Sequence, residues 1–139
     1  MIASRRPFTA GLFALALAVG TTACGETAST SKFTGESHNV AQTVSDFQSD
    51  ATAGNGKKLC QNDLAGTLTA HLQGAGGCQA VLKNQLHEVD ALNMTIESIT
   101  VSGGAAVAHV KSTWSGKNRI TTLTLAKEGS RWKISGAQS

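Results

Sequence analysis

The apolar residues of this chain change their spacing once, near residue 91, and that change limits the folds open to it. Before that point they recur three or four places apart, and after it they alternate. The first spacing lines one face of a helix and the second lines one face of a strand. Helices first and strands after predict an α+β layer, with N-terminal helices packed on one face of an antiparallel sheet of about four strands.

Val40, Val44 and Phe47 predict a first helix over 40–50, with Asn39 as its N-cap. Gly54-Asn55-Gly56 interrupts the chain. The ladder Cys60, Leu64, Leu68 and Leu72 then predicts one helix over 57–72. Gly74 to Gly77 ends it, and Cys78 to Leu86 reads as a third short helix. Leu92, Met94 and Ile96 alternate, and the alternation slips to Ile99 and Val101, which predicts a β-bulge near Ser98. Gly103-Gly104, 115–118 and Glu128-Gly129 are turns between strands 105–114, 119–126 and 131–135.

The N-terminus reads as an export signal over residues 1–23. Arg5 and Arg6 precede the uncharged apolar run Phe8 to Val19, which is too short to span a bilayer. Thr21-Thr22-Ala23-Cys24 then resembles the lipobox of bacterial lipoproteins. That resemblance implies acylation of Cys24 with diacylglycerol and a mature chain that begins there. The alternative is an ordinary secretory signal with a free Cys24. Arg5-Arg6 also resembles the twin-arginine signature, so the route is either that one or general secretion. Residues 24–39 read as a lipid-anchored flexible tether that would reach roughly 50 Å if fully extended, and 40–139 as the folded domain. Without Arg5 and Arg6, ten basic and nine acidic residues remain, and so even a balance gives no electrostatic case for nucleic acid.

With Cys24 taken by lipid, Cys60 and Cys78 form an even pair. Outside the cytoplasm such a pair becomes a disulfide; a redox pair or a metal site is the alternative. The Cys spacing is not that of a zinc motif, and His38, His71 and His87 are scattered, so no metal or other cofactor is expected.

Val107-Ala108-His109-Val110 and the run Leu123 to Ile134, with its Gly129-Ser130-Arg131-Trp132-Lys133-Ile134 ending, resemble the closing strands of NTF2-like domains, the SnoaL-like or cystatin-like cone. The order of elements also looks like small actinobacterial lipoproteins. The resemblance covers roughly residues 38–137 and implies helices cradled by a curved sheet, with a pocket in the cone. Enzymes of that superfamily use Asp with Tyr or His. This chain has no Tyr, so a tyrosine donor is excluded. His109 could serve as a base only beside a carboxylate such as Asp46 or Asp50. Trp114, Trp132 and His109 are the candidate pocket-lining residues.

The expected role is therefore non-enzymatic. The domain would bind an envelope protein, a peptidoglycan fragment or an apolar small molecule, while lipid on Cys24 holds it to the membrane. A small isomerase- or cyclase-type enzyme and a secreted structural or antigen-like protein are the alternatives. Cys24→Ser should release the protein from the membrane fraction into the medium, and immunoblotting of the two fractions checks this; a variant that stays with the membrane contradicts the anchor.

Overall fold

A computed structural model describes residues 28–87, 92–114 and 116–139, with Trp114 described by its backbone alone. The export segment and Cys24 lie outside the described residues.

The chain runs through α1 (Gly35–Thr52), a short turn α2 (Gly56–Lys58), a π-helical turn (Leu59–Asp63), α3 (Gly66–Gly74) and α4 (Cys78–Leu86). Four strands follow: β1 (Asn93–Ser102), β2 (Ala105–Trp114), β3 (Lys117–Glu128) and β4 (Arg131–Gln138). The sheet is an antiparallel meander, β1-β2-β3-β4, curved and unclosed. The expected bulge is present, between Ile96 and Ser98. A second one falls where Thr124 pairs with Gly136 and Leu125 with Ile134. A Cβ on Gly136 would lie 2.8 Å from Thr124 Oγ1, so any larger residue at this bend must displace the Thr124 side chain.

One face of the sheet is buried. Met94, Ile96, Ala106, Ala108, Val110, Leu123, Leu125, Trp132 and Ile134 meet Val40, Ala41, Val44 and Ala51 of α1 there. The small residues of β2 let the helix approach the middle of the sheet closely. Burial on this scale is the main stabilising term of the domain.

Two helical expectations need correction. The first helix starts at Gly35, and the residue before it is Thr34, so Asn39 lies inside the helix. Ala28 is itself buried, and its N–H donates to Gln48 Oε1 at 2.7 Å. Residues 28–39 thus belong to the domain rather than to the 24–39 tether. The cause is long-range. Glu36 in the first turn accepts from Trp132 Nε1 at 2.6 Å and from Lys127 Nζ at 2.9 Å.

The helix expected over 57–72 is broken at Leu64, which is extended at φ −93° and ψ 141°. There the chain forms a parallel bridge with Ile134, and the Ala65 N–H donates to the Ile134 carbonyl at 2.8 Å. The ladder of Cys60, Leu64, Leu68 and Leu72 is therefore split between two elements. Leu64 is buried, while the other three are partly covered at the margin of the core.

Cys60 and Cys78 are bonded, with Sγ atoms 2.07 Å apart across a separation of 18 residues. A loop of that length restricts the unfolded chain by about 3 kcal/mol in the chain-entropy model. The double variant Cys60→Ala/Cys78→Ala should lose roughly that amount in a urea titration. A midpoint equal to that of the parent would show that the bond adds nothing.

Candidate functional site

Among the described residues, clefts open around the packed core, and two of them gather charged side chains. The first is polar and sits between α1, the π-turn and the β3–β4 hairpin. Asp46 and Asp50 reach it from α1, Lys58 from α2, Asn62 and Asp63 from the π-turn, and Arg131 from β4. It comprises two adjoining spaces of about 240 and 290 Å³.

Asp63 is its most unusual member. The residue is only 4% exposed, and Oδ2 has no hydrogen-bond partner among the described residues. Burial, the charge of Asp50, a hydrogen bond with Asp50 and the charge of Asp46 push its carboxyl up to about 7, against a smaller opposing pull from Arg131. The contact with Asp50 joins two carboxyls, so it requires a proton that Asp63 itself supplies. Asp50 also faces Lys58 at 3.6 Å, and Asp46 accepts from Gln42 Nε2 at 2.9 Å. A π-turn inside a helical stretch often marks a functional position; here it turns Asp63 towards α1.

The second cleft lies at the free end of the sheet, where strand alternation continues the buried face beyond the core. Leu92, Ser112, Arg119 and Thr121 follow Met94, Val110 and Leu123 on that face, and Lys117 and Asn118 complete the rim. The groove measures about 520 Å³. Two cations stand over it, at Lys117 and Arg119.

The residues singled out from sequence divide as follows. His109 is exposed on the outer face of the sheet, because Ala108 and Val110 on either side of it point into the core. Its Nδ1 lies 3.3 Å from Thr122 Oγ1. It does not line either cleft, and Asp46 and Asp50 gather with Asp63 instead. Trp132 is buried, and its indole N–H is satisfied by Glu36, as a buried indole requires. It edges the polar cleft rather than an apolar pocket. Hydrogen bonds from Lys127 and Trp132 hold the Glu36 carboxyl below its usual range. The Trp114 side chain lies outside what is described. Asp63, Arg131, Lys117 and Arg119 were not legible as site residues. The alternation of β3 could have signalled Arg119, which falls on the face of Leu123 and Leu125.

Two likenesses accompany this geometry. A family model described as putative lumazine-binding matches residues 76–137. A solved protein named Rd1NTF2_05, which carries five substitutions, is similar in structure with a TM-score of 0.52. It is 13% identical, and the match covers 75% of this chain and 98% of that one. No curated protein matches the sequence.

The raised Asp63 has a consequence for stability. The folded state keeps a proton that the unfolded chain loses above its ordinary value near 3.8. The stabilisation is complete below that value, declines as pH rises and is gone above about 7. Asp63→Asn should therefore match the parent near pH 4 and exceed its stability near pH 8, by an amount on the order of 2 kcal/mol. Denaturant titrations at both pH values check this; parallel pH profiles for the two proteins would contradict it.

Proposed function

From the NTF2-like fold of this chain, we propose that it is an exported, lipid-anchored binding protein whose groove at the free end of the sheet holds a small heteroaromatic ligand of the lumazine kind. The observation that carries this reading is the position of the groove. Leu92, Ser112, Lys117, Asn118, Arg119 and Thr121 fall within the segment similar to putative lumazine-binding proteins, and only Ser139 of the lining lies beyond it. Its chemistry suits such a ligand. A flat ring system would lie against Leu92 and the aliphatic stems of Lys117 and Arg119, while Lys117, Arg119 and Asn118 offer donors to ring carbonyls and nitrogens.

The reading is of a binder rather than an enzyme. These lining side chains hold and orient, and the carboxyls that could exchange protons gather in the other cleft. Export is supported by the Cys60–Cys78 bond, which fits an oxidising compartment. Membrane attachment rests on the Cys24 signal.

Titration of the full chain with lumazine, followed by the ligand's fluorescence, tests the proposal. Binding should saturate, and Lys117→Ala/Arg119→Ala should weaken it about tenfold or more, equivalent to ~1.4 kcal/mol or more. Both side chains are exposed, so the melting temperature should stay within a few degrees of the parent. Lumazine fluorescence unmoved by the parent protein, or equal affinity in parent and variant, would refute the groove.

A further inference from the structure

We propose that the polar cleft beside Asp63 is a second binding site, and that it takes a small hydroxylated organic ammonium ion. It shares no lining residue with the groove at the sheet's free end and does not rest on that reading.

The charges in this cleft do not balance. Asp46 and Asp50 face Asp63 from α1, Lys58 faces it from α2 and Arg131 from β4. Lys133, also on β4, is engaged with the Gln61 carbonyl at 3.0 Å and lies 3.9 Å from Glu128. Neither α3 nor α4 contributes a charged side chain to the lining. Three carboxyls thus meet two cations, and the carboxyl left over is the buried one, with its Oδ2 unpartnered. A buried carboxylate without a counter-charge is costly, so it is neutralised by a proton. One added positive charge would balance the cleft equally well and send that proton to solvent.

The identity of the cation follows from the surroundings. Among the described residues, no three His, Cys, Asp or Glu side chains converge as metal ligands. A polyatomic ammonium ion can place its charge by the Asp46, Asp50 and Asp63 carboxyls and its body along the rest of the cleft. Asn39, Gln42, Thr43 and Asn62 line the same space and suit hydroxyl groups on its body. The 240 Å³ part alone equals about eight water volumes, which fits a molecule from the size of an amino alcohol to that of an amino sugar.

Proton exchange gives this site a signature that simple charge attraction lacks. With the Asp63 carboxyl held at about 7, binding below that pH must displace a proton. Apparent affinity should then weaken about tenfold per pH unit below 7 and level off above it.

The probe is ethanolamine, with glycerol as its uncharged counterpart, titrated calorimetrically into the full chain in two buffers of different ionisation enthalpy. Near pH 6, ethanolamine should release about one proton per site, and near pH 8.5 almost none. Glycerol should not bind. Asp63→Asn should abolish both the proton release and the pH dependence, and its melting temperature shows whether it is folded. Arg131 is exposed, and Arg131→Gln should tighten ethanolamine binding severalfold by removing a competing cation; this variant decides the matter if Asp63→Asn does not fold. Any of four results would overturn the proposal: no saturation by about 0.1 M ethanolamine, equal binding of glycerol, the same proton release with sodium chloride alone, or no change in affinity in Arg131→Gln.

Discussion

The free edge of β4 organises more of this molecule than any helix does. An edge strand exposes unpaired N–H and C=O groups, and a protein must cover or blunt them. Here Leu64 and Ala65 lie along it, with the Ala65 N–H on the Ile134 carbonyl and Leu64 bridged to the same residue. To reach that edge the chain must leave the helix at Leu64. The turn before it opens from α into π geometry, so Leu59 and Asp63 are both buried. Cys60, within that turn, meets Cys78 and ties α4 to the same corner. The broken helix, the buried acid and the disulfide thus share one cause.

Helix α1 answers the opposite end of the same problem. It covers the buried face above Ala106, Ala108 and Val110, and it is fastened along its length. Glu36 takes the indole of Trp132, and Thr43 Oγ1 lies 3.2 Å from the Trp132 carbonyl. Further along, the Gln48 side chain accepts from Ala28 and donates to the Leu92 carbonyl. The cover stops there, and β2 and β3 extend past it as the walls of the groove. Closed core and open groove are one surface, divided by where the helix ends.

The strands were legible because alternation is a local property. Ala105 to Trp114 begins and ends as the sequence predicts, and the bulge beside Ser98 follows from one slipped pair. Helix boundaries were less so. Glu36 looks like part of a polar linker until Trp132, 96 residues away, supplies its partner. The ladder from Cys60 to Leu72 is good helical spacing, but a strand edge outcompetes it at Leu64. Asp63 was illegible for a similar reason. A lone aspartate between Asn62 and Leu64 reads as surface, and only tertiary packing buries it. His109 is a different case. Its own neighbours, Ala108 and Val110, already mark the inward face.

The buried Ala28 changes how the domain would stand on a membrane. If lipid is carried at Cys24, only four residue steps separate it from Ala28, which is buried in the fold. Such a stretch spans at most about 14 Å, far short of the roughly 50 Å that a tether ending at Asn39 would allow. The domain would then lie against the headgroups with little freedom to tumble. Gln48 joins Ala28 to Leu92, so the mouth of the groove would open close to the bilayer surface. A ligand partitioning into that interface would meet the protein by lateral diffusion, and capture would depend on its concentration in the membrane rather than in the surrounding fluid.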